Sequence, residues 1–181
     1  NRWVFSTNGD DMRASNTTTT TVIVTAAGYA PAFVDKTSIS GTDTVVVQLR
    51  NAAGTQTAWH STAIATFTQI TDTDFTGLAH QGKIEHLNGI AFVATRNRIY
   101  NSDLNSLSSW PAIGFIDRQA TQDIGTGLAK LGKRIISFGT ATMEVYEYTQ
   151  TPTGSPLVFI GARDYGMPST IVTGMRHYYT T

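Results

Sequence analysis

Few side chains in this sequence are placed to do chemistry. The four histidines are His60, His80, His86 and His177. A helical metal site needs two histidines at i and i+4, and no pair here has that spacing. They read instead as surface or strand-packing residues, with His60 beside Trp59 and His177 beside Tyr178. Asp72 and Asp74, in "TDTDF", could begin a cation-binding turn. Calcium takes six to eight oxygens, and two local carboxylates supply too few, so an Asp-rich loop between strands is expected. Glu144 and Glu147 raise the thought of a glycosidase, whose two carboxylates must flank one sugar bond. On a strand, residues three apart point to opposite faces, so these two should not share a site. Glu144 is expected to pair with a base such as Arg134 across a hairpin, or to be solvated. The run "SDLNSLSSW", Ser102–Trp110, has the Ser, Asp and Trp of a sialidase Asp-box. Its Asp directly follows the Ser, however, and the glycine is missing, so a turn closed by a packed Trp110 is the better reading. No glycine-rich phosphate loop or Gly-x-Ser-x-Gly elbow occurs. No catalytic, cofactor-binding or metal-binding residue is expected.

The wider composition points the same way. The 181 residues hold 13 basic and 13 acidic side chains, with no net charge and no cysteine. Disulfides and thiolate metal sites are excluded. Nucleic-acid binding is driven largely by Lys and Arg displacing counterions, so a neutral chain is not an obvious binder. The one dense basic patch is Lys130–Arg134. No apolar run approaches the length of a membrane span. The sequence starts at Asn1, not Met, and Gly174–Thr181 reads as a strand stopping in mid-pattern. A piece of a longer protein is therefore expected.

Threonine and glycine are common, which favours strands and turns. Four places share one design, a strand, a short turn and a second strand: 3–15, 45–61, 90–102 and 134–149. In the last, Ile135, Ile136 and Phe138 precede a turn, and Val145, Tyr146 and Tyr148 follow it. β-Branched and aromatic side chains lose rotamer freedom in a helix and pack well on a pleated sheet. Met12, Trp59, Ile99 and Val145 stand late in the second strands, and Gly41, Gly89, Gly132 and Gly174 mark a position near the first. A fifth copy starts at Gly174. Asn8-Gly9 is a strong hairpin turn, because both of its central positions need positive φ. Further strands are expected at Val22–Ala26, Phe67–Ile70, Ile113–Ile116 and Leu157–Ile160, with the Thr17–Thr21 run as an exposed edge or loop. A period of about 40–48 residues with four strands each is the pattern of β-propeller blades. The expected fold is all-β, one domain over 1–181, built of four-stranded antiparallel blades and forming part of a larger propeller.

Short motifs also resemble the packaged-DNA stabilisation and tail-hub proteins of short-tailed bacteriophages. They are Tyr100-Asn101-Ser102-Asp103 followed by Ser108-Ser109-Trp110, then Asp123-Ile124 before Gly127-Leu128, then Phe138-Gly139 before Met143-Glu144-Val145-Tyr146. Gly154–Phe159, Gly166–Val172 and the early Arg2–Ser15 continue the likeness, although Pro168 and Ser169 lack the residue that separates them in the family. The resemblance implies a structural virion protein, made in the host cytoplasm and located in the tail. It would form a homo-oligomeric ring beside portal, adaptor and tail proteins. Such a ring extends the portal channel and helps retain packaged DNA that passes through without sequence-specific contacts. No membrane is involved. Two other classes compete with it, a carbohydrate-binding or glycan-hydrolysing propeller of an adhesin and a propeller used as a protein-interaction hub.

Overall fold

The computed structural model describes residues 4–7, 11–15, 18, 20–25, 28–63, 66–120, 123–150 and 154–167. Fifteen strands and one four-residue helix are found among them. β1 (Val4–Thr7), β2 (Asp11–Ser15) and β3 (Thr20–Thr25) form a first sheet. The second holds β4 (Tyr29–Ile39), β5 (Thr42–Asn51), β6 (Gln56–Ala63) and β7 (Thr66–Gln69). Helix α1 (Thr73–Thr76) leads to the third, β8 (Gln81–Leu87), β9 (Ile90–Ala94), β10 (Arg98–Asn101) and β11 (Phe115–Asp117). The fourth comprises β12 (Gly125–Leu131), β13 (Arg134–Gly139), β14 (Met143–Tyr148) and β15 (Leu157–Arg163). The chain is all-β, and three sheets are four-stranded antiparallel meanders with their strands in chain order.

Local chemistry explains these hairpins. Two-residue turns join the first strand of each meander to the second, since Ile39 pairs with Thr42, Leu87 with Ile90 and Leu131 with Arg134. Ser40-Gly41 and Asn88-Gly89 carry positive φ at both central residues, the turn whose twist matches the flanking strands. Gly132 opens its turn with φ 60°, whereas Gly41 and Gly89 close theirs. The glycine marker seen in sequence therefore sits one place early in the fourth sheet.

The second, third and fourth sheets stack face to face. Val46 and Ala58 of the second sheet meet Ile84, Ala91 and Val93 of the third in one core, with Phe75 and Trp110 from the connections. Ile90, Phe92 and Ala94 point the other way, into a second core with Leu128, Ile135, Tyr146 and Leu157 of the fourth sheet. All five residues of β9 are buried. A strand covered on both faces reads as a continuous apolar run, as "IAFVA" does. The first strands run side by side, with β8 between β4 and β12. Their approach is close enough that a Cβ on Gly82 would lie 3.0 Å from the Gly127 Cα. Buried Gln48 joins the second and third sheets. Its amide donates to the Gly82 carbonyl at 3.4 Å, and its oxygen accepts the Ile84 N–H at 2.7 Å.

Three expected hairpins are the central pairs of the meanders: β5–β6 for 45–61, β9–β10 for 90–102 and β13–β14 for 134–149. The hairpin at 3–15 is β1–β2, although Trp3 and the Asn8-Gly9 turn lie outside the described residues. So do Ala26, Thr17, Thr19, His177 and the copy beginning at Gly174. Thr20 and Thr21 belong to β3. β7 and β15 coincide with the strands expected at Phe67–Ile70 and Leu157–Ile160. The strand at Ile113–Ile116 needs correction, because Gly114 donates to Pro111 in a turn and β11 begins only at Phe115. Ile113 is left 65% exposed.

Candidate functional site

The first strands bring together a mixed-charge group. Asp35 comes from β4, Lys83, Glu85 and His86 from β8, and Lys130 from β12. The Lys83 ammonium lies 3.2 Å from Asp35 Oδ2 and 3.0 Å from Glu85 Oε1. Burial lowers the Lys83 pKa, but Glu85 and Asp35 more than offset it, so the pKa ends up raised. Glu85 is 5% exposed, and burial pushes its carboxyl up against the pull of Lys83. The result is a largely self-neutralised line, with Lys130 exposed at its edge.

His86 is the exception within this group. It is buried, and neither ring nitrogen has a hydrogen-bond partner. Burial pushes its pKa down to about 4; Asp35 opposes this, while Lys130 and Lys83 reinforce it. It is therefore neutral at pH 7. His80 is similar. Its Nε2 lies 3.2 Å from the Phe75 carbonyl, its ring is 4.4 Å from that of Phe75, and burial pushes its pKa down to about 4.

A second polar cluster locks the third sheet to the fourth. Arg118 follows β11 and reaches Asp123, with Nη1 2.6 Å from Oδ1, while its Nε lies 3.4 Å from Glu144 Oε2. Asp123 Oδ2 accepts the backbone N–H groups of Ala141 and Thr142 at 2.8 and 2.9 Å. Burial raises the Asp123 pKa, but these donors and Arg118 outweigh it, so its carboxyl lies below its ordinary value. Glu144 is fully buried and accepts from the Ala120 N–H at 2.7 Å and the Tyr146 hydroxyl at 2.6 Å. Burial and then Glu144 push the Tyr146 hydroxyl up.

The expectation for Glu144 is thus overturned. It is neither solvated nor paired with Arg134, which stands opposite Glu147 in the register. Glu144 shares the inward face of β14 with Tyr146, and its base comes from the inter-sheet connection. Glu147 is exposed on the other face, so the two carboxylates do not converge. Gly139 is where this network leaves no room, because a Cβ there would overlap the Asp123 carboxylate. Gly139→Ala is expected to cost about 1–3 kcal/mol through overpacking, read as a lower urea midpoint. An unchanged midpoint would mean that the network is loose.

The other residues singled out in sequence are dispersed. Asp72 caps α1, accepting from Asp74 N–H at 2.9 Å and, through its other oxygen, from Trp110 N–H at 3.0 Å. Asp103 accepts from the Ser109 hydroxyl at 2.5 Å, and Ser106 Oγ accepts from the N–H groups of Ser108 and Ser109. Trp110 is buried and donates its ring N–H to the Leu107 carbonyl, so this loop is a packed turn. His60 Nε2 lies 2.9 Å from Ser108 Oγ. No group of three metal-ligating side chains occurs among the described residues. Sequence reasoning missed the roles of Arg118 and Asp123. The Asp123-Ile124 step noted beside Gly127-Leu128 touched the right place but gave no sign of the ion pair. No protein-family model matches this chain, and no curated protein matches it in sequence.

Proposed function

We propose that the chain is a structural component of a bacteriophage tail or neck, contributing propeller blades to a ring that extends the portal channel and helps retain packaged DNA. The observation that carries this reading is the third sheet, buried on both faces between two equivalent meanders whose first strands each run beside its own. A two-layer sandwich has one core, whereas successive sheets sharing faces in chain order are what a propeller builds. The phage assignment itself rests on the sequence resemblance. Charge supports a passive channel over a DNA grip. Lys36 pairs with Asp43 at 2.6 Å, Arg98 with Asp117 at 2.7 Å, Lys83 with Asp35 and Glu85, and Arg118 with Asp123 and Glu144. These four cations are already neutralised within the chain and release few counterions from phosphate, which leaves the exposed Lys130, Lys133 and Arg134 as the patch a DNA grip would have to use.

The purified chain is expected to bind duplex DNA weakly at physiological salt. The slope of log affinity against log salt should be shallower than about −2, since each neutralised phosphate contributes about −0.9. Fluorescence anisotropy at rising salt measures it. Tight binding with a steep slope would replace the passive channel with a DNA-gripping role. Electron microscopy of particles carrying a tagged chain tests location, and a tag anywhere but on the tail axis would overturn the virion assignment.

A further inference from the structure

The second, third and fourth sheets meet at two equivalent junctions, and one of them is not filled. β5 and β9 are the second strands of their sheets, and each follows a two-residue turn. The first and third residues of β9 are Ile90 and Phe92, 7% and 0% exposed in the core shared with the fourth sheet. In β5 the same places hold Thr42 and Thr44. They lie on one face with Val46, which belongs to the core shared with the third sheet. Two hydroxyl side chains thus stand where the next junction holds two large apolar ones. A cleft of about 280 Å³ opens there.

Thr42, Thr44, His60 and Thr62 line it from the second sheet, and Ser106, Leu107 and Ser108 from the loop between β10 and β11. Thr44 is buried, its hydroxyl donating to the Thr42 carbonyl at 3.2 Å. Leu107 is also buried and, with Ile39 from the end of β4, gives the cleft apolar surface. His60 Nε2 lies 2.9 Å from Ser108 Oγ. Partial burial lowers the His60 pKa, so the ring is neutral at pH 7. Among the described residues, no Asp, Glu, Lys or Arg lines the cleft. Asp43, between the two threonines, stands on the opposite face and pairs with Lys36.

We propose that this cleft binds one neutral sugar ring. An anion would find no cation in it and a cation no carboxylate, and either would lose hydration without compensation. A wholly apolar ligand would leave the hydroxyl and imidazole groups unpaired. Sugar hydroxyls both donate and accept, as Ser, Thr and neutral imidazole do, and the C–H faces of the ring suit Ile39 and Leu107. The volume lies just below the roughly 300 Å³ at which pockets for drug-sized ligands begin, so it suits a single ring rather than a chain of them. The inference uses only the second and third sheets and does not depend on the tail reading.

The test is a titration of the full chain at pH 7 with D-glucose, D-galactose and D-mannose, followed through the imidazole NMR signals of His60. At least one sugar is expected to give saturable shifts, with a dissociation constant on the order of 1–10 mM. Its uronate carries a carboxylate that the cleft cannot pair and should bind several-fold more weakly. Thr44→Phe installs the residue that β9 has at this place and should weaken sugar binding by about tenfold or more. Thr42→Ile copies β9 in the same way at an exposed position, and it carries the test if Thr44→Phe does not fold. The absence of a saturable shift with all three sugars overturns the proposal. So does binding that the cleft-filling variants leave unchanged, or a uronate that binds as tightly as its neutral parent.

Discussion

Lowering the pH from 7 to 4 is expected to unfold this protein, and the proton uptake should come from histidines rather than carboxylates. His80 and His86 are buried with pKa values pushed down to about 4, against about 6.5 for the unfolded chain. A group whose folded pKa is depressed contributes stability that is fully present above the unfolded value. That stability is lost as pH falls towards the folded value. The window is therefore pH 6.5 to 4, and at about 1.4 kcal/mol per unit each histidine contributes about 3 kcal/mol at neutral pH. Domains of this size are stable by roughly 5–15 kcal/mol in total, so losing both contributions is enough to unfold a marginal one. His60, lowered by partial burial, acts in the same sense. Glu85 opposes the loss, because its raised carboxyl takes up a proton more readily in the folded state. Asp123 adds its own loss only at the acid end, as pH falls below its ordinary value of 3.8.

Urea unfolding at half-unit pH steps gives the slope. It should approach two protons bound on unfolding near pH 5. His86→Met tests the assignment. Neither His86 nitrogen has a partner, and an unpaired buried polar group is costly, so the apolar replacement should be neutral or stabilising by about 1 kcal/mol at pH 7. It should also remove about one proton from the slope. A flat stability from pH 7 to 5, or a slope that His86→Met leaves unchanged, would mean that these rings are solvated.

The same residues mark what could be seen in the sequence. The central hairpins were legible because their cores are runs such as "VVVQL", "IAFVA" and "RIISF" beside turn residues. Burial, β-branching and turn chemistry agree there, and local preference matches the final structure. The first strands β4, β8 and β12 were not legible. They carry Asp35, Gly82, Lys83 and Gly125: a Cβ on Gly82 would lie 3.0 Å from the Gly127 Cα of the next sheet, a Cβ on Gly125 would overlap the Thr95 carbonyl of the third sheet, and Asp35 finds Lys83 on the next sheet. Small and charged residues in a strand are decided by neighbours about 40 residues away, which no local window contains. The fate of Glu144 is the plainest example. Its spacing from Glu147 correctly separated the two carboxylates, but its partner Arg118 lies on a connection between sheets, at a spacing that no strand or helix period links to it.

That partnership makes Arg118→Met the most damaging single substitution expected here. The guanidinium is 2% exposed and Glu144 is fully buried. Removing the cation leaves Glu144 in the core with the Ala120 N–H and the Tyr146 hydroxyl as donors and no opposite charge. Breaking one partner of a buried pair typically costs about 3–5 kcal/mol, because the remaining charge has lost its compensation. Asp123 keeps its donors from Ala141 and Thr142, so the damage should centre on Glu144. Replacing both buried charges by apolar groups removes the uncompensated ion as well. The double variant Arg118→Met with Glu144→Leu is therefore expected to recover at least half of the loss, although the Ala120 N–H and Tyr146 hydroxyl then lack their acceptor. The difference between single and double variants, taken as a mutant cycle from urea midpoints, measures the coupling directly. Additive losses would show that Arg118 and Glu144 act independently, and the link between the third and fourth sheets would then rest on Asp123 and the shared apolar core.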